Sequence, residues 1–137
     1  MKVPLDSDVL MNVALGRDRF GPESRSVLDC CQHTPQSAVV ACHTMSNLFY
    51  LLSAAHSSRF ARHFLTGLLT FTEFVSGGTV SVRHALGLRM ADFENALQVA
   101  AAISGDANFI LTQNIPDYRG LTVTALAPTD FHKRFVT

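Results

Sequence analysis

The chain carries no excess of charge of either sign. Eleven Lys and Arg balance eleven Asp and Glu over 137 residues, so no global basic field advertises a nucleic-acid partner. Any such binding must come from a local patch. The candidates are Arg17 and Arg19, the Arg59, Arg62 and His63 group, Arg83 and Arg89, Arg119, and the Lys133-Arg134 pair. A run of about 18 apolar residues is missing as well, which removes the signature of a membrane-spanning helix. The N-terminus lacks the basic-then-apolar layout of a secretory signal, so a soluble, cytoplasmic protein with no membrane partner is expected. The three cysteines, Cys30, Cys31 and Cys42, are odd in number and without zinc-like spacing. They read as reduced thiols packed as small buried hydrophobes. No His-x-x-x-His pair, G-x-G-x-x-G turn or Walker loop occurs, which disfavours a zinc site and a nucleotide cofactor.

What is present is a 47% hydrophobic, 16% charged composition that suits one compact domain over residues 1–137. Val3 to Leu5 reads as a first strand, and Val9 to Leu15 as a short helix stopped by Gly16. Pro22 opens a helix over Glu23 to Gln32. Ala38 to Cys42 is a second strand, and the segment from His43 to Leu52 is a helix with Met45, Leu48, Phe49 and Leu52 at helical spacing. A helix follows from Ser58 to Glu73, broken by Gly77-Gly78, and the β-branched Thr79 to Val82 reads as a third strand. Met90 to Ile103 is a helix whose alanines let it lie close to a sheet. Asn108 to Thr112 and Thr122 to Leu126 are the last two strands, and Pro128 opens a short helix through Phe135. Strands alternating with helices predict an α/β fold, a three-layer α/β/α sandwich on a parallel sheet.

The polar residues gather where these elements change. Leu5 delivers the chain into Asp6-Ser7-Asp8 and then Val9-Leu10-Met11, which puts two carboxylates at a strand-to-helix junction. The carboxyl end of a strand is where open α/β sheets bind ligands, and carboxylates there can hold Mg²⁺ or Mn²⁺. The alternative is that Asp6 or Ser7 caps the helix. Further along, Thr112 leads into Gln113-Asn114-Ile115-Pro116-Asp117-Tyr118-Arg119-Gly120 at the end of the fourth strand.

Four stretches in order, Leu5-Asp-Ser-Asp-Val-Leu10, Thr44-Met-Ser-Asn-Leu-Phe-Tyr-Leu-Leu52, Asp92-Phe-Glu-Asn-Ala-Leu-Gln98 and Phe109-Ile-Leu-Thr-Gln-Asn-Ile-Pro-Asp-Tyr118, followed by Ala127-Pro-Thr-Asp-Phe131, resemble the PIN domain. The resemblance spans residues 3 to about 131. It implies a metal-dependent ribonuclease, commonly the toxin of a type II toxin–antitoxin pair, with Mg²⁺ or Mn²⁺ as cofactor, RNA as substrate and an antitoxin protein as partner. Carried over by position, Asp6 matches the first family acid, whereas Asn47, Asn95 and Asn114 stand where the second, third and fourth acids are expected.

An amide supplies an oxygen ligand without charge, so weak ion binding is expected unless nearby acids compensate. Those acids are Asp8, Asp92, which shares a helical face with Asn95, and Asp117. Glu94 is turned by about 100° from Asn95 and is expected to face solvent or a flanking groove. The expected catalytic set is then Asp6, Asp92, Asn95, Asn114 and Asp117, with Asp6, Asp92, Asn95 and Asp117 on the metal and Ser7, Asn47, Thr112 and Arg119 on the RNA. Structural alternatives stay open: Asp92 as a helix N-cap, Asp117 as a turn residue after Pro116, and Asn47 and Asn114 as local backbone hydrogen-bonders. A catalytically degenerate RNA-binding or protein-interaction module is the competing reading. A homodimer is expected from the Phe60, Phe64 and Leu68 stripe.

Overall fold

The computed structural model of the chain describes residues 2–16, 21–33, 38–75, 77–107, 109–121, 123–131 and 133–134. Arg17, Asp18 and Arg19 of the proposed basic loop, with Asn108, Thr122 and Phe135 at expected element ends, lie outside the described residues. The elements in chain order are β1 (Val3–Pro4), α1 (Ser7–Ala14), α2 (Gly21–His33), β2 (Ala38–Ala41), α3 (Cys42–Ala55), α4 (Ser58–Leu69), β3 (Thr72–Val75), α5 (Gly78–Gly87), α6 (Phe93–Ser104), β4 (Phe109–Leu111), a 3₁₀ turn (Ile115–Tyr118), β5 (Thr124–Leu126) and α7 (Pro128–Phe131). Among the described residues no helix is long and apolar enough to cross a membrane.

All strand pairs are parallel. β1, β2 and β3 form one ladder and β4 and β5 another, and a single bridge between Leu5 and Leu111 joins them. The spatial order is therefore β3-β2-β1-β4-β5. Pro4 accounts for the interrupted ladder. Leu5 N–H donates to Val39 O on the β2 side and Asp6 N–H to Leu111 O on the β4 side, each at 2.9 Å. By the alternation of a strand, the N–H that Pro4 lacks would have faced β4, so pairing with β4 begins only at Leu5.

The strands alternate between two helical layers. Phe109 and Leu111 join Val3, Leu5, Val40, Leu10, Leu48, Leu52 and Phe131 in the larger core under α1 to α4 and α7. Ile110 points the other way, to Val99 and Tyr118, on the side where α6 packs. Ala96, Ala100 and Ala102 of α6 are buried; Val99 packs on Ile110 of the sheet, while Ala96 and Ala100 pack against Ala85 of α5. The three-layer architecture read from the sequence is the one observed.

Four local expectations are corrected. Thr79 to Val82 is helical, because Ser81 and Ala85, four residues apart, are the buried positions of α5 and Ala85 packs with Ala96 and Ala100. Val80 and Val82 face outward, so their β-branching does not decide the local structure. The third strand is instead Thr72–Val75. Helix α4 stops at Leu69, where the hydroxyls of Thr70 and Thr72 donate to Gly67 O and Leu68 O, both at 2.6 Å, and so occupy its terminal carbonyls. Cys42 begins α3 rather than ending β2. Of the three free cysteines only Cys31 is buried; Cys30 is half-buried and Cys42 exposed.

The apolar stripe of α4 is largely spent internally. Leu68 is buried and Phe60 and Phe64 pack against the larger core. Phe60 and Phe64 stay half-buried, and Leu69 is exposed.

Leu52, fully buried among these residues, provides a test of the packing. Leu52→Ala is expected to cost about 2–5 kcal/mol by the lost transfer energy and the cavity left behind. Urea denaturation of both chains measures it, and a cost below about 1 kcal/mol would show that α3 does not pack against the sheet as described.

Candidate active site

At the end of β1 the chain has to turn into α1, and Asp6 occupies the N-cap position with extended backbone. Its side chain makes no capping hydrogen bond. The carboxylate is nevertheless 2% exposed, so it is aimed inward at the joint between the two ladders. Thr112, where β4 ends, donates from Oγ1 to Asp6 Oδ2 at 2.8 Å, and the buried Tyr118 hydroxyl lies 2.9 Å from the same oxygen. Ser7 Oγ lies 3.3 Å from Asp6 Oδ1. The capping alternative for Asp6 is thereby excluded by geometry.

Asp8, in the first turn of α1, lies against the loop after β4. Its Oδ2 accepts from Gln113 N–H at 2.9 Å, Asn114 Nδ2 at 3.0 Å and Thr112 Oγ1 at 3.3 Å, while its Oδ1 is buried and unpartnered among the described residues. Burial, and next the charge of Asp6, push the Asp8 carboxyl up to about 7. The Tyr118 hydroxyl is pushed upward too, by burial first and then by Asp6, so it serves as a neutral donor.

The other expected residues divide between two places. Asp92 is the N-cap of α6, its Oδ1 accepting from Glu94 N–H at 2.9 Å and Asn95 N–H at 3.4 Å, so the capping alternative holds for this residue. Asn95 sits between Tyr118 and Asp117: its Oδ1 is 3.1 Å from the Tyr118 hydroxyl and its Nδ2 donates to Asp117 Oδ2 at 3.4 Å. Asp92, Asn95 and Asp117 line one hollow with Met90 and Pro116. Asn95 and Tyr118 connect it to Asp6. Thr112 is fully buried and its hydroxyl is committed to Asp6 and Asp8, so it holds these carboxylates in place and is not open to a nucleic-acid strand. Arg119 is exposed at the end of the 3₁₀ turn.

Glu94 reaches back across the top of the sheet, where its Oε2 accepts from Asn47 Nδ2 at 2.9 Å and its Oε1 from Gln98 Nε2 at 3.1 Å, with Ser7 Oγ 3.3 Å away. The signal in the sequence was Gln98, a polar residue four positions on in an otherwise apolar helix face; such i, i+4 pairs meet. His43, on the first turn of α3, has its ring held below the ordinary imidazole range by burial, which outweighs the opposing effects of Glu94 and Asp6.

Two features bear on whether a divalent ion suits these residues. The hydroxyls of Ser7, Thr112 and Tyr118 each carry one proton and each face two acceptors, so three protons serve six contacts and three of those contacts lack a proton at any moment. This oxygen-rich, proton-poor cluster suits a cation. Against it, Asn47, Asn95 and Asn114 each turn the amide NH₂ toward a carboxylate, and among the described residues no three His, Cys, Asp or Glu side chains are grouped closely enough to share an ion. Mg²⁺ is commonly held by one or two carboxylates together with water and substrate phosphates. Asp6 and Asp8 fit that pattern.

The fold and site together define a parallel α/β protein with a carboxylate centre beside the strand where the sheet order reverses, the usual ligand position in such sheets. A family model for the PIN domain matches residues 2–116, and the chain belongs to that family. Among solved structures it is similar to VapBC2 of Rickettsia felis bound to a DNA fragment from the promoter, at 14% identity and TM-score 0.74 over 93% of this chain and 98% of that one. It is also similar to a toxin-antitoxin complex from Klebsiella pneumoniae, at 18% identity and TM-score 0.69 over 93% and 98%. A third likeness is to Mycobacterium tuberculosis VapC20, described as a sarcin-ricin loop cleaving toxin, at 14% identity and TM-score 0.64 over 80% and 87%. At these identities the likeness establishes the fold. No curated protein matches the sequence.

The raised Asp8 carboxyl has a consequence for stability. Between 3.8 and about 7 the folded chain keeps a proton that the unfolded chain has lost. Folding stability attributable to this group is therefore greatest at low pH, falls as pH rises through that window, and is level above it. Urea midpoints measured against pH in EDTA are expected to show that decline, and Asp8→Asn should flatten it. An identical slope in both chains would show that Asp8 titrates normally.

Proposed function

We propose that this chain is a toxin of a toxin–antitoxin pair, an endoribonuclease that hydrolyses RNA phosphodiester bonds with Mg²⁺ or Mn²⁺ held by Asp6 and Asp8. The observation that carries the reading is the proton-poor oxygen cluster around the buried Asp6, which has no capping duty to explain it. A bound divalent ion would supply a water of lowered pKa and neutralise charge developing on the phosphate. The protein's part is positional. Thr112, Tyr118 and Ser7 hold the Asp6 carboxylate, and Gln113 N–H and Asn114 hold Asp8. Asn95 holds Asp117 at the rim, and in this reading the exposed Arg119, two residues further on, contacts the RNA backbone, which gives affinity without sequence reading. The Klebsiella structure is a toxin-antitoxin complex, which supports an antitoxin as partner.

One observation favours the competing reading of a degenerate module. The three amides at expected acid positions all act as donors to carboxylates and so lower the site's need for a cation.

RNA cleavage by the wild-type chain in Mn²⁺, lost in Asp6→Asn, is the expected result, and equal rates for both chains would leave the nuclease reading without support. Asn95→Asp adds charge beside Asp117 and the Asp6 network, and should tighten Mn²⁺ binding by roughly tenfold, about 1.4 kcal/mol. Calorimetry showing equal affinity would mean that the amide does not limit the ion.

A further inference from the structure

The hollow that Met90 and Ala91 share with Asp92, Asn95, Pro116 and Asp117 has no part in holding the proposed ion, yet it adjoins that centre. Its volume, about 290 Å³, lies at the small end of the roughly 300–1,000 Å³ of small-molecule pockets, which suits one flat ring system and not a strand. Met90 and Pro116 give it apolar surface, and Asp92 and Asp117 give it negative charge. That charge turns phosphates away, so what an RNA strand can lodge here is a base.

Asn95 gives the second observation. The residue is 9% exposed, and its Oδ1 is committed to the Tyr118 hydroxyl at 3.1 Å. Its Nδ2 carries two hydrogens but meets a single acceptor among the described residues, Asp117 Oδ2 at the long distance of 3.4 Å. One N–H in the lining is thus left without an acceptor, beside a carboxylate whose Oδ1 has no donor among the described residues. A buried donor in this state carries a cost that a ligand carbonyl removes.

Single-stranded RNA is read on the pairing edges of its unstacked bases. Guanine alone among the four presents a carbonyl followed by two adjacent donors, N1–H and the N2 amino group, and a carboxylate takes two parallel donors as a fork. Adenine and cytosine bring one amino group next to a bare ring nitrogen, and uracil one N–H between two carbonyls, so each sets a lone pair against the charge of Asp117. We infer that the hollow holds a guanine of the RNA, with Asp117 accepting from its N1–H and N2 amino group and Asn95 Nδ2 donating to its O6. Asn95 reaches Asp6 through the Tyr118 hydroxyl, so a guanine held there selects the phosphodiester presented to Asp6 and Asp8. This inference rests on the reading of the chain as a nuclease that binds RNA.

The test is fluorescence anisotropy of fluorescein-labelled RNA pentamers, UUGUU, UUAUU, UUCUU and UUUUU, with the full-length chain in EDTA, where binding is read without an ion and without cleavage. UUGUU should bind tighter than the other three by about tenfold or more. Asp117→Asn, at an exposed position, should bring all four within about threefold of one another, and Asp117→Ala should do the same. Met90→Ala should weaken UUGUU by about threefold through lost apolar contact. If no pentamer binds, if all four bind alike, or if the preference for UUGUU survives both Asp117 variants, the hollow does not read guanine and the inference falls; Mn²⁺-dependent cleavage that Asp6→Asn abolishes would leave the nuclease reading intact. If the preference depends on Asp117 and no Mn²⁺-dependent cleavage is found, the nuclease reading falls and the hollow stands as the guanine site of an RNA-binding module.

Discussion

A buried carboxylate has to be supplied with donors, and Asp6 obtains them from three separate parts of the chain. Ser7 comes from the start of α1, Thr112 from the end of β4 and Tyr118 from the 3₁₀ turn. Without them the charge would cost several kcal/mol to keep from water. With them, the ends of the two ladders and the loop after β4 are drawn to one point. Much of the site's geometry follows from that requirement, including the approach of Asn95 through Tyr118 and the contact of Asp8 with the Thr112 loop.

The network is also incomplete in an informative way. Hydroxyl groups bridge carboxylates in this site but bring too few protons to satisfy them all. Three amides occupy positions where the resemblance called for acids, and each is used as a donor. The result lies between two limits. One is a cluster of ionised acids that needs a cation to fold, and the other is a fully satisfied polar core that has no use for one. Asp8, with one oxygen held by three donors and the other by none, shows both tendencies in a single side chain.

The layer order, the parallel strands and the alanine-lined helix were legible because each rests on periodicity or small side-chain volume, which are properties of a local stretch. The turn at Asp6 was legible for the same reason. The exchange of strand and helix between Thr72 and Val82 was not. Thr79, Val80 and Val82 have strand-forming side chains, but burial of Ser81 and Ala85 against α6 overrides local preference, and that contact is made with a segment more than ten residues away. The partners of Glu94 were not legible, because the about 100° step from Asn95 gives only a direction, toward solvent or a flanking groove, and not what lies there. The helix lies across the strand ends, and both sides of its first turn face polar groups, Asn47 and Ser7 on one and Tyr118 and Asp117 on the other. Asp92 shows the converse, since a favourable cap position decided its role as the local rule predicted.

Pro4 leaves the sheet divided. The two ladders meet through the Leu5–Leu111 bridge and the Asp6 N–H to Leu111 O bond, and the polar groups of Asp6, Asp8 and Thr112 lie directly beyond that seam. Asp6 and Asp8 belong to one half and Thr112, Gln113 and Asn114 to the other. Occupancy of the cleft and cohesion of the two halves are therefore linked equilibria: whatever binds across the seam in the closed arrangement strengthens the joint by mass action, and whatever loosens the joint weakens binding by the same free energy.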